Sequence, residues 1–149
     1  MADAATISVT ATMLPDEIAK VITGSMTVTP ADANHKWYYK LTSVSNGSAD
    51  MIGGHYSNYT AIADATAPQT VNVADTVAFL FIQNTDASNH VYVNIAAGTA
   101  AAAVGNITVG AGETWYARLG LTLAGSIHAI SSTSTVTCIV IALISDVSA

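Results

Sequence analysis

The chain has 149 residues, 51% hydrophobic and only 9% charged, and four cations set against ten acids leave a net charge of −6. A nucleic-acid backbone or an anionic membrane surface requires clustered Lys and Arg, and Lys20, Lys36, Lys40 and Arg118 are few and scattered, so neither partner is expected. The lone Cys138 excludes an intrachain disulfide, and its apolar flanks mark it as a small core residue rather than a reactive thiol.

This length suits a single domain spanning 1–149. Met1 to Thr6 has neither the basic nor the apolar region of a signal peptide. The apolar run Val136–Ile144 is about half the roughly 18–20 residues that a spanning helix needs. Asn-X-Ser/Thr triplets begin at Asn46, Asn58 and Asn106 and are read as chance in a chain rich in Ser and Thr.

In chain order, Thr6 to Met13 alternates, with Ile7, Val9, Ala11 and Met13 on one face and hydroxyl residues on the other, as a half-buried strand does. Pro15-Asp16-Glu17 interrupts it with a short connection, and alternation resumes from Gly24 to Thr29. Residues 1–14 are thus an edge strand or an N-terminal arm. Lys36 to Ser45 is the third strand: Trp37, Tyr39 and Leu41 share one face, and Tyr38, Lys40 and Thr42 the other. The simpler assignment turns Trp37 and Tyr39 into the core and leaves Tyr38 over one flank. Asn46-Gly47 is a strong hairpin signal because both residues tolerate positive φ. Met51 to Ala67, with His55, Tyr56 and Tyr59, reads as an exposed loop or irregular edge.

Val77 to Ile82 is apolar on both faces and suits a strand buried on both sides, while His90 to Ile95 alternates and is expected to pair with it. The small-residue stretch Ala96–Gly105 forms a loop, and Gly110-Ala-Gly-Glu113 a turn inside Asn106–Leu119. Ser126 to Ile130 and Thr135 to Asp146 complete the set, the latter apolar on both faces and hence central in a sheet. No stretch holds a helical period. Strands recurring every 8–14 residues indicate an all-β fold, an antiparallel β-sandwich or jelly roll of about eight to ten strands.

Catalytic and metal signatures are missing. His35, His55, His90 and His128 have no metal-ligand spacing among them, no nucleophile elbow occurs, and most aspartates fall at turn positions. No cofactor, metal or enzymatic activity is expected. The aromatics point instead to binding: Tyr38, Tyr56 and Tyr59, with Ile7 and Val9 on the N-terminal arm, are the candidate interface residues.

The order of elements from Val77 to Leu119 carries a resemblance. A strand ending Ile82-Gln-Asn-Thr85, the strand His90-Val-Tyr-Val-Asn-Ile95, a small-residue loop and a Gly110-Ala-Gly-Glu113 turn before the next strand are similar to the β-sandwich of tailed-bacteriophage virion proteins, most of all capsid decoration (cement) proteins. The resemblance covers about 43 residues and departs from the family's pattern at Ala96–Val104, where a more polar hairpin is expected. It implies a non-enzymatic protein that binds the outside of a capsid, with the major capsid protein and its own copies as partners. A homotrimer or another homo-oligomer follows from it, as does a virion location with assembly in the host cytoplasm. The N-terminal arm would then add to a neighbouring sheet edge. The alternative is a carbohydrate- or receptor-binding β-sandwich of a head or tail fibre, in which tyrosines stack on a glycan.

Overall fold

The computed structural model describes residues 4–13, 20–52, 58–60, 68–102 and 107–145. Where length alone suggests one domain, the chain divides into two compact units, Met1–Ala33 and Asn34–Ala149.

The first unit is a β-hairpin. Strand β1 (Ala5–Met13) pairs antiparallel with β2 (Lys20–Val28) over nine uninterrupted positions, from Ala5 opposite Val28 to Met13 opposite Lys20. Directly opposed residues share a face, so Ile7 and Met26, Val9 and Gly24, and Ala11 and Ile22 line an apolar side. Thr6 and Thr27, Ser8 and Ser25, and Thr10 and Thr23 line a hydroxyl side. The second strand starts at Lys20 rather than at Gly24, because Val21 and Ile22 break the alternation without breaking the pairing.

The second unit is an antiparallel β-sandwich. Its larger sheet has the order β10 (Thr114–Leu123), β7 (Thr76–Asn84), β12 (Val136–Ser145), β3 (His35–Val44). The other has the order β4 (Ala49–Asp50), β11 (His128–Ser131), β8 (Val91–Asn94), β9 (Ile107–Val109). A short pair, β5 (Asn58–Thr60) with β6 (Pro68–Thr70), and a 3-10 turn at Ala124–Ser126 complete the unit. The two sheets hold eight strands, as expected of the sandwich, and with the β1–β2 hairpin and the β5–β6 pair the described residues hold twelve. The core lies between the sheets. Tyr38, Leu80, Ile82, Val140 and Ala142 face Val91, Val93, Val109 and Ala129, and all are essentially solvent-free.

The two doubly apolar strands are central, as their composition demands: β7 lies between β10 and β12, and β12 between β7 and β3. The long antiparallel ladder between β12 and β7 runs from Cys138 opposite Asn84 to Ser145 opposite Thr76, with one irregularity near Leu143. Two local expectations fail. Strands β7 and β8 belong to different sheets, so residues 85–90 carry the chain from one layer to the other instead of closing a hairpin. Asn46-Gly47 does the same between β3 and β4, and neither residue takes the positive φ of a tight hairpin turn.

The crossing at 84–90 is held by side chains. Buried Asn84 donates through Nδ2 to the carbonyls of Asn89 (2.7 Å) and Gly110 (2.9 Å), and its Oδ1 accepts from the Asp86 amide (3.0 Å). The Asp86 carboxylate accepts from the amides of Asn89 (2.7 Å) and Ser88 (2.8 Å), which hold its pKa below the ordinary carboxylate value. At the next crossing the Glu113 carboxylate accepts from the Gly110 amide (2.8 Å), and Gly112 takes φ +71°, a left-handed conformation that favours glycine. The Gly110–Glu113 segment is a turn, as its residues suggest.

Candidate interaction surface

The functional candidate follows from the register of the larger sheet. Its inner face closes the core. Its outer face carries three rows across four strands: Leu41, Ile139, Gln83 and Thr114; Tyr39, Ile141, Phe81 and Tyr116; Trp37, Leu143, Phe79 and Arg118. Both phenylalanines of the chain lie in these rows beside Trp37, Tyr39 and Tyr116. Arg118, at one corner, is the one ionic side chain in the three rows.

Burial grades across this face. Phe79 and Leu143 are buried, and Trp37 meets Phe79 edge-to-face with ring centroids 6.1 Å apart and planes at 73°. Phe81, Ile139, Ile141 and Tyr116 are half-buried, while Tyr39 is 43% and Leu41 59% exposed. With strands ~4.8 Å apart and same-face residues ~6.8 Å apart, the rows span about 19 Å by 20 Å, on the order of 400 Å². A continuous exposed apolar area within such a footprint is a recurrent mark of a binding site.

The predicted interface residues fare differently. Tyr38 is fully buried and belongs to the core cluster, which corrects its assignment to an exposed flank. The faces of β3 are reversed relative to expectation: Tyr38, Thr42 and Val44 point inward, and Tyr39 and Leu41 outward. Tyr38 fits because its register neighbour across the sheet is the small Ala142. Ile7 is half-buried and Val9 37% exposed, on the same side of the hairpin. Tyr59 lies on β5 opposite Gln69, but its side chain and all of Tyr56 fall outside the described residues.

Phe81, Tyr116, Ile139 and Ile141 escape a reading of the sequence strand by strand. A signal was nevertheless present. Two strands apolar on both faces, in a two-layer sandwich, leave one apolar face uncovered by the opposite sheet.

Elsewhere the polar groups serve the fold. His128 Nε2 lies 2.8 Å from Asp50 Oδ1, across directly paired positions of β11 and β4. The other ring nitrogen, Nδ1, is buried and makes no hydrogen bond. Among the described residues no group of three or more His, Cys, Asp or Glu side chains is arranged to hold a metal ion. Burial pushes the Cys138 thiol up to about 12. His55 lies outside the described residues.

The fold and this surface define an all-β protein whose most developed surface feature is an apolar sheet face with a single ionic side chain at its corner. No protein-family model, curated protein or solved structure matches the chain.

Proposed function

We propose that this protein is a non-enzymatic structural component of a multi-copy assembly, specifically a virion decoration protein that binds the outside of a tailed-phage capsid and stabilises it. The observation that carries the reading is the outer face of the larger sheet, where exposed Tyr39 and Leu41 extend an apolar surface backed by Phe81, Ile139, Ile141 and Tyr116. Apolar and aromatic centres with a polar rim are the anatomy of a protein–protein contact. Gln83, Thr114 and Arg118 supply such a rim along β7 and β10. The resemblance of Val77–Leu119 to cement proteins supplies the kind of partner.

The glycan-binding alternative draws less support from this face. A sugar platform sets exposed rings beside Asp or Asn, whereas the neighbours of Tyr39 here are Ile141, Leu41 and Trp37, and no Asp or Asn occurs in the three rows.

The test is co-sedimentation of the purified full chain with tailed-phage capsids stripped of their decoration proteins. Saturable pelleting and a higher capsid melting temperature are expected, and both should be lost in Tyr39→Lys/Leu41→Lys. Those positions are exposed, so the double variant should keep its own melting temperature. Failure to bind shells, combined with Tyr39-dependent signals on a glycan array, would replace this reading with the alternative.

A further inference from the structure

We propose that the outer edge of β1 is a homodimerisation edge, on which β1 of a second copy pairs antiparallel about a two-fold axis at Val9.

The hairpin is a two-stranded sheet, so among the described residues β1 has a strand neighbour on one side only. Nine residues at ~3.4 Å each make that edge about 31 Å long. Natural edges of such length are guarded by Lys, Pro, bulges or shortening. Ala-Thr-Ile-Ser-Val-Thr-Ala-Thr-Met has no charge, no proline and no glycine, and its ladder with β2 has no bulge. The opposite edge is different: β2 begins with Lys20 and carries Gly24 at mid-strand. Of the two edges, β1 is the unguarded one.

The faces of the hairpin fix the register. In an antiparallel pair opposed residues share a face, so β1 against β1 keeps apolar with apolar only if the paired residue numbers sum to an even value. Full overlap of Ala5–Met13 with itself centres on Val9 and satisfies this condition. Val9 then meets Val9 and Ile7 meets Ala11 on one side. Ser8 meets Thr10 and Thr6 meets Thr12 on the other. The longest overlap and the face-matched register coincide, which makes the strand self-complementary.

Charge selects a second copy as the occupant. Each chain carries −6, yet β1 holds no ionisable side chain, so two copies meet here without like charges opposed. Exposure agrees: Val9 is 37% and Ile22, on the same side of the hairpin, 52% exposed. The product is a four-stranded sheet in the order β2, β1, β1, β2, and an isologous contact that closes at two copies.

This pairing uses residues separate from those proposed to bind a shell, so the two stand or fall independently. Light scattering of the full chain should give twice the chain mass, and monomers or trimers would overturn the proposal. Val9→Lys sets two cations against each other at the axis and should halve the mass, while Ile22→Lys and Tyr39→Lys/Leu41→Lys leave it unchanged. A dimer that persists in Val9→Lys overturns the register. Mild oxidation of Val9→Cys should yield a disulfide-linked dimer, and Ile22→Cys, one strand further from the axis on each side, should not. Buried Cys138 does not compete in that reaction. Absence of the Val9→Cys cross-link, or equal cross-linking of Ile22→Cys, again counts against the pairing. Unchanged circular dichroism of each variant separates lost pairing from lost folding.

Discussion

At the scale of single residues, the buried Cys138 thiol has the most definite chemistry. Cys138 reads as a core residue from its apolar flanks, and it is solvent-free between Thr42 on β3 and Asn84 on β7. Burial penalises the thiolate and moves the thiol from 9.0 to about 12. At pH 8 the thiolate population is therefore about a thousandfold below that of an exposed cysteine. A maleimide should leave the native chain unlabelled and label it in full in denaturant. The linkage has a definite sign, because the folded state holds this proton more tightly than the unfolded chain. The associated stability is complete below pH 9 and is lost as pH rises towards 12. Denaturation midpoints of the parent and Cys138→Ala, compared between pH 8 and 11, should converge. Rapid native labelling at pH 8 would falsify the assignment. Tyr38 shows the opposite case. Its residue type suits a core or an interface equally, and what seats it in the core is Ala142 across the ladder, a long-range fact that Lys36–Ser45 does not contain.

At the scale of elements, the strands themselves were largely written in the chain. The alternation of β1 and the central position of the doubly apolar β7 and β12 follow from hydrophobic pattern. Connections were not, because a turn sequence specifies a reversal but not which sheet receives the next strand. Asn46-Gly47 and residues 85–90 both pass between layers. Face assignment within β3 is the decisive element-level statement, and it can be tested by stability. Ile82→Ala on the inner face of β7 removes a solvent-free side chain and should cost about 2–5 kcal/mol. Leu41→Ala, on the outward face of β3, should stay within roughly 0.5 kcal/mol, as surface substitutions do. Urea titrations of the two variants give the comparison. Equal losses would mean that the face bearing Leu41 is part of a closed core.

At the scale of the whole molecule, most of the candidate surface was hidden from the sequence because it is built from four strands that are distant along the chain. Trp37, Tyr39 and Leu41 come from β3, Ile139 and Ile141 from β12, Phe81 from β7 and Tyr116 from β10, and only the register aligns them. The size of that surface also bears on how the protein would work. On the order of 400 Å² per copy is about half of the roughly 800 Å² that each partner contributes to a standard stable interface. A single copy would bind weakly, and two copies joined through β1 would bind more tightly by avidity, with no new contact to the shell. The chemistry of the face sets the response to salt. Its rows hold one ionic group, Arg118, while the chain as a whole is at −6. Screening therefore removes little attraction and relieves repulsion between crowded copies. Raising NaCl from 50 to 500 mM should leave shell binding within about threefold or strengthen it, whereas a contact through six to ten phosphates loses about 10³–10⁵ between 50 and 200 mM. A steep loss of pelleting with salt would place the contact on charged groups instead, and the face of Tyr39 and Leu41 would no longer explain it.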